Sequence, residues 1–178
     1  MSSVIILEAF QAFLAEKVAS GIKFQQARVN EVQKYELVNP QVHIGWIPPQ
    51  GFLPPEMEYT IPCLVVGYDE DSDDGQEGSM NIRLSVAVYN PGKHEPDVNG
   101  IKYTPNMEGY RDLLNFIDRT KAELLRNRII NKTVTVQLPI KTGMYAQEQP
   151  YPFWYGWLTF SVRVKSGLYV ESIAQQYL

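Results

Sequence analysis

Hydrophobic residues recur at three- and four-residue intervals in two parts of this 178-residue chain, and this spacing predicts two helices. The first helix follows Ser2 or Ser3, either of which can cap it, and its apolar spacing continues until Gly21, which favours a stop. The second is predicted over residues 107–127, with charged side chains along its polar face. Both helices are amphipathic and should therefore pack against another element.

Apolar runs with strand composition lie before, between and after these helices. Residues 61–68 and 80–89 predict an antiparallel hairpin whose strands are joined by an acidic turn. Residues 133–138 and 154–164 predict a second hairpin with a long loop. Shorter strands are predicted in two segments that precede the first hairpin, residues 22–29 and 42–47.

Proline-rich stretches separate these elements. Prolines deny backbone donors to a ladder, so residues 48–59 should form an extended connection, and residues 90–106 should form a loop rich in Pro, Gly and Asn. Adjacent strands between helices favour an α+β fold, with an antiparallel or mixed β-sheet packed by an N-terminal helix and a central amphipathic helix. The length fits a single domain over residues 1–178.

The charge balance limits the classes of partner. Sixteen Lys and Arg residues against twenty Asp and Glu give a net charge of -4, which provides no general attraction to nucleic acid or to an anionic membrane. The N-terminal apolar run is broken by Glu8 and Gln11 before it reaches the roughly 20 residues that a membrane crossing needs. The lone Cys63 cannot form an internal disulfide, and its neighbours predict a buried strand. We therefore expect a cytoplasmic protein without sequence-specific nucleic-acid binding or direct membrane binding.

Six carboxylates crowd the turn of the first predicted hairpin. They are Asp69, Glu70, Asp71, Asp73, Asp74 and Glu77. If Gly75 took the sixth position of a calcium loop, the twelfth would be Asn81 instead of a bidentate glutamate, and strands would flank the loop where helices should. The sequence therefore predicts an exposed, mobile acidic loop, with no metal and no other cofactor.

Candidate catalytic groups are sparse. His43 and His94 are the only histidines, they are far apart in sequence, and neither accompanies a second zinc ligand or an activated nucleophile at a recognisable spacing. Gly75 and Gly78 lie among carboxylates, which would repel a phosphate. We predict no catalytic residues and no enzymatic turnover.

A dense aromatic group opens the last predicted strand. It comprises Tyr151, Phe153, Trp154, Tyr155 and Trp157. Alternation places Tyr155 and Trp157 on the side opposite Trp154 and Leu158, so both faces of this strand must be covered. Either the chain covers both faces itself, or a neighbouring subunit completes one of them. The five aromatic residues are therefore a candidate subunit interface.

The order of these elements resembles that of the tail terminator and tail-completion proteins of tailed bacteriophages and prophages, over most of the chain. Three segments prompt the resemblance: residues 61–68 before a variable loop, Gly109-Tyr110-Arg111-Asp112-Leu113-Leu114-Asn115-Phe116, and Tyr151-Pro152-Phe153-Trp154-Tyr155-Gly156-Trp157. It implies a homo-oligomeric, hexameric ring that caps the head-proximal end of a tail tube, ends tube polymerisation and offers the surface to which the head docks.

The resemblance also implies partners and a location. The partners are the tail tube protein and a neck or connector protein, and the location is the virion tail or neck after assembly in the bacterial cytoplasm. The family supplies no catalytic residues. Two alternatives stay open: another neck or head–tail connector subunit, and a small ligand-binding or enzymatic α+β domain that uses the aromatic strand as a pocket wall.

Overall fold

Two helices are present in the computed structural model, which describes residues 2–28, 31, 34–47, 57, 60–75, 77–145 and 149–165. Helix α1 spans Ser3–Lys17 and continues into a 3-10 turn at Ala19–Gly21. Helix α2 spans Glu108–Arg126, within one residue of the predicted bounds at each end. Neither of them is long and apolar enough to cross a membrane.

Eleven strands lie within the described residues. They are β1 (Phe24–Gln25), β2 (Leu37–Val38), β3 (Gln41–Ile44), β4 (Cys63–Asp73), β5 (Glu77–Tyr89), β6 (Lys93–Asp97), β7 (Gly100–Thr104), β8 (Ile129–Ile130), β9 (Val134–Val136), β10 (Lys141–Met144) and β11 (Phe153–Lys165). Seven of them form one mixed sheet in the order β3-β4-β5-β11-β9-β8, and β10 also pairs with β11. In this sheet β3 is parallel to β4, and the other pairs are antiparallel.

Strands β5 and β11 form the centre of the sheet. They pair along their whole length, from Tyr89 opposite Phe153 to Glu77 opposite Lys165. The strands β1–β2 and β6–β7 form two separate two-stranded sheets. Because β5 and β11 are 13 residues each, the sheet is about 40 Å long in the strand direction.

Both helices cover the same face of the main sheet. Alternate side chains of β4, β5 and β11 point to this face and are buried with the apolar faces of α1 and α2. The ring of Phe10 in α1 lies 5.5 Å from that of Phe160 in β11, and Phe116 in α2 lies 5.0 Å from Phe24 in β1. Burial of this apolar area is the main source of stability.

The opposite face of the sheet is covered over only part of its length. A second buried cluster there is formed by strand residues and by residues of the preceding connections: Ala27, Ile47, Ile61, Cys63, Val65, Ala87, Tyr89, Phe153 and Tyr155. Farther along the strands the same face carries polar residues around a shallow cleft of about 370 Å³, lined in part by Asn81, Arg83 and Ser161. Among the described residues, this half of the face carries no second buried cluster.

The structure confirms the α+β prediction, the first predicted hairpin and the antiparallel pairing of the two strands predicted for the second, but β10 lies between those two strands in sequence, and several predicted bounds are wrong. Strands β4 and β5 extend through most of the acidic segment, which was expected to be a loop. Residues 90–106 contain the β6–β7 hairpin, and the long loop before β11 contains β10. The strand expected over residues 22–29 is reduced to Phe24–Gln25 and lies outside the main sheet. The connection expected at residues 48–59 lies almost wholly outside the described residues.

Candidate assembly surfaces

Most of the aromatic group of β11 is already buried within the single chain. Phe153, Trp154 and Tyr155 are 6%, 7% and 1% exposed. Tyr155 packs in the second cluster, with its ring 6.5 Å from that of Phe153. Of the five predicted interface residues, only Tyr151 and the half-buried Trp157 keep surface that a partner could reach in the folded chain.

Trp154 packs on the first turn of α2. The glycine at position 109 leaves room for the indole, because a Cβ there would lie 2.1 Å from Trp154 Nε1. The same Nε1 donates a hydrogen bond to the carbonyl oxygen of Asn90 at 3.4 Å. The rings of Tyr110 and Tyr151 both meet the indole edge to face. Trp154 therefore joins α2, β5 and β11.

The aromatic contacts continue from Trp154 to the base of the β6–β7 hairpin. The hydroxyl of Tyr151 donates to the carbonyl oxygen of Pro91, so the Tyr103 hydroxyl must be the donor in its 2.5 Å hydrogen bond to Tyr151. Partial burial and the bond with Tyr103 raise the pKa of Tyr151. On the other side of Tyr103, the ring of His94 lies between those of Tyr103 and Tyr35. These contacts fix the base of the hairpin.

The end of the β6–β7 hairpin exposes two apolar side chains. Val98 is 97% exposed, and Ile101 is also on the surface. The hydrophobic pattern did not predict this surface, since residues 90–106 were expected to be a loop. A signal was present in Gly100, which directly follows the two turn residues Val98 and Asn99 and adopts a positive φ of 124°.

The acidic segment forms the end of the β4–β5 hairpin, with only a short turn at its tip. Cross-strand partners hold three of its carboxylates: Asp69 accepts two hydrogen bonds from Arg83 at 2.9 Å, Glu70 accepts one from Asn81 at 2.8 Å, and Glu77 pairs with Arg163. Asp73 and Asp74 accept hydrogen bonds from the backbone N–H groups of Gly75 and Glu77. The loop prediction is therefore wrong, while the predicted exposure of these side chains is confirmed.

The acidic hairpin keeps an excess of negative charge. Its six carboxylates face two arginines, Arg83 and Arg163, and Asp69 is the extra residue of a β-bulge between Tyr68 and Glu70. Among the described residues, no three His, Cys, Asp or Glu side chains are grouped so that they could hold a metal ion. The charge of this hairpin is thus displayed along a strand, where another protein surface can meet it.

Two titratable groups of the fold, His94 and Asp112, line one cleft of about 480 Å³ together with Lys23, Lys93 and Tyr35, and this lining does not include Cys63 or His43. Cys63 is fully buried, as predicted, and burial raises the pKa of its thiol to about 12. His43 lies on β3 of the main sheet and His94 on the separate β6–β7 sheet. Asp112 in α2 is partly buried and accepts a 2.6 Å hydrogen bond from Asn90 Nδ2. The predicted absence of catalytic residues stays a prediction.

Asp112 makes stability depend on pH. Burial raises its pKa above the ordinary value of 3.8, so its ionised form is less favourable in the folded chain than in the unfolded chain. We expect Asp112→Asn to raise the melting temperature at pH 7. This gain should shrink as the pH falls and vanish below about 3.8, where the aspartate is protonated in both states.

Thermal unfolding followed by circular dichroism across this pH range measures the effect. Asp118→Asn is the matched control, because Asp118 is exposed on the same helix, and we expect no comparable gain. A melting temperature that falls at pH 7 in the Asp112→Asn variant would show that the carboxylate stabilises the fold through its bond with Asn90.

No protein-family model matches this chain, and no curated protein is significantly similar to it. The surfaces of the chain are therefore the observations that bear on its function. They are the exposed apolar side chains at the end of the β6–β7 hairpin and the acidic end of the β4–β5 hairpin.

Proposed function

We propose that this chain is a structural subunit that assembles into a ring, hexameric in the completed structure, at the head-proximal end of a phage tail tube. The ring ends polymerisation of the tube and provides the surface to which the head docks. The observation that carries this proposal is a set of exposed apolar side chains at a hairpin end and at strand edges. It includes Val98, Ile101, Tyr68 and Ile129. Single exposed apolar residues are common on proteins, and Val98 and Ile101, which lie together at one hairpin end, are the part of this set that favours contact with another protein.

The architecture supports assembly over the ligand-binding or enzymatic alternative. Phe153, Trp154 and Tyr155 are packed in the interior, so they do not form the wall of an open pocket. Three clefts among the described residues have volumes of about 370 to 480 Å³, and none of the three is an enclosed cavity. The buried Cys63 thiol, with its raised pKa, is a poor nucleophile.

The proposed partners follow from the position of the ring. One side contacts the tail tube protein, and the other contacts a neck or connector protein. The protein is assembled in the cytoplasm of the bacterial host and remains in the tail or neck of the virion. Another connector subunit could use the same exposed surfaces, and the partner that it binds distinguishes the two functions.

The test is a mass measurement by light scattering, combined with negative-stain imaging of the purified chain alone and with tail tubes. We expect closed rings, and rings at one end of each tube. A chain that stays monomeric across the micromolar range and is not recruited by tubes contradicts the proposal. Rings that ignore tubes but bind isolated heads or connectors would instead support the connector alternative.

A further inference from the structure

Two open strand edges lie on opposite sides of the main sheet. Strand β3 pairs only with Cys63–Val66 of β4, so no described strand covers the outer side of β4 from Gly67 to Asp73. On the other side, β8 is the last strand of the order, and its outer side has no partner strand in the described part of the chain. Open edges present backbone N–H and C=O groups that can pair with another chain.

The two edges lie at the same end of the sheet. One row of paired residues crosses it from Ser72 of β4 through Ser79, Arg163 and Thr135 to Ile129 of β8. With strands about 4.8 Å apart, the edges are separated by roughly 19 Å. They therefore face away from each other and cannot pair within one chain.

The outer part of β4 and the turn that follows it are strongly acidic. We call Gly67–Asp73 with Asp74 the acidic edge. It contains five carboxylates and no Lys or Arg residue. Its one large apolar side chain on the surface is Tyr68, which is 47% exposed.

The opposite edge is basic. Between residues 124 and 145 the chain contains Arg126, Arg128, Lys132 and Lys141 and no Asp or Glu residue. Because Arg126 is paired with Glu123 at 2.5 Å, we call β8 together with Arg128 and Lys132 the basic edge. The guanidinium of Arg128 donates to the carbonyl oxygen of Val136 at 3.2 and 3.3 Å, which holds it beside the strands, and Lys132 is exposed in the turn after β8.

The sign of the charge separates two explanations for charged residues on these edges, namely protection against aggregation and pairing with another copy. Charged residues on an edge strand commonly prevent edge-to-edge aggregation, and that role needs no particular sign. Here the two edges carry opposite signs, so like edges repel each other and unlike edges attract. Tyr68 on one edge and Ile129 on the other, which is 66% exposed, add apolar area to the contact.

We infer that the acidic edge of one copy docks against the basic edge of the next copy. This inference rests on the proposed ring, because a contact between two different patches is head to tail and closes into a ring when the rotation fits. Repulsion between two acidic edges disfavours the symmetric dimer. The partner of each edge is thus a second copy of this chain.

Charge-swap variants test this contact. The acidic-edge variant is Glu70→Lys, Asp71→Lys and Asp73→Lys, and the basic-edge variant is Arg128→Glu and Lys132→Glu. In each variant alone, like charges meet at every contact. We expect the concentration at half assembly to rise by about a hundredfold or more, as measured by light scattering.

Mixing the two variants in equal amounts should restore assembly. If the two variants alternate around the ring, each swapped edge meets an edge of opposite charge. Such alternation requires an even number of subunits. The control is Glu16→Lys, Glu108→Lys and Asp118→Lys, which changes the net charge as much as the acidic-edge variant but on the helices, and which should keep the ring. Melting temperatures verify that each variant is folded.

The outcomes separate this contact from the proposed function. Two results would overturn the edge contact even if the wild-type chain forms a ring. One is that both unmixed variants form rings, and the other is that the folded variants stay monomeric after they are mixed. Rings that are lost and restored as expected but never bind tail tubes support the edge contact and overturn the tail function. A wild-type chain that is monomeric alone and with tubes overturns both.

Discussion

Replacing Tyr155 by alanine should lower the free energy of unfolding of the single chain by about 3–5 kcal/mol, the range typical of a large buried aromatic residue. Tyr155 is 1% exposed, and it packs in the second cluster with Phe153 on one side of the sheet. The backbone N–H of Tyr155 donates to Gln149 Oε1 at 2.7 Å, and its carbonyl oxygen accepts from Gln149 Nε2, so the surrounding backbone cannot easily collapse into the cavity.

Urea unfolding followed by circular dichroism measures this loss, and Tyr151→Ala is the control. Tyr151 is 46% exposed, so its truncation should cost less, and that loss comes mainly from its hydrogen bonds with Pro91 and Tyr103. The comparison decides which of the two explanations of the aromatic strand holds. The opposite result would be that Tyr155→Ala abolishes assembly but leaves the free energy of unfolding of the monomer unchanged. In that case a neighbouring subunit covers this side chain, and its burial within the single chain does not stabilise the fold.

The elements that could be predicted from the sequence are those whose own residues carry the signal. Helix α2 was located to within one residue at each end because its apolar positions, such as Leu113, Ile117 and Leu124, repeat at helical spacing over five turns. Strands β5 and β11 were located because apolar and polar positions alternate along them. In both cases the core is formed by the residues that produce the pattern.

The end of the β4–β5 hairpin could not be predicted in this way. Residues 69–77 have no apolar alternation, and their repulsion favours a loop. They form strands because distant partners compensate the charge: Arg83 faces Asp69 across the hairpin, and Arg163 of β11 faces Glu77. That pairing depends on β11 lying beside β5, which is a contact between residues about 80 positions apart.

The candidate contact surfaces illustrate the same limit. The six carboxylates and the basic run from Arg126 to Lys141 are visible in the sequence, and so are the five aromatic residues near β11. Only the strand order places the acidic and basic segments on opposite edges of one sheet and removes Phe153, Trp154 and Tyr155 from the surface. Local pattern gives the composition of a surface, and long-range pairing gives its position.

Gly109→Ala should destabilise the fold by about 1–3 kcal/mol, the usual cost of inserting a methyl group into a packed site. The new Cβ would lie 2.1 Å from Nε1 and 2.3 Å from Cδ1 of Trp154. The indole is rigid, and moving it would break its hydrogen bond to Asn90 and its ring contacts with Tyr110 and Tyr151. The higher helix propensity of alanine offsets at most about 1 kcal/mol of this cost.

A double-mutant cycle with Trp154→Ala identifies the clash as the cause. Alanine removes the whole indole, including the Nε1 and Cδ1 atoms that the new Cβ would meet, so in that background Gly109→Ala should cost about 1 kcal/mol less or even stabilise the helix. Gly45→Ala is the matched control, because a Cβ there meets only Val65 Cγ1 at 3.7 Å. Denaturant unfolding of the four variants gives the coupling energy. An equal cost of Gly109→Ala in both backgrounds would show that Trp154 does not restrict position 109, and that α2 is fixed to the sheet by other contacts.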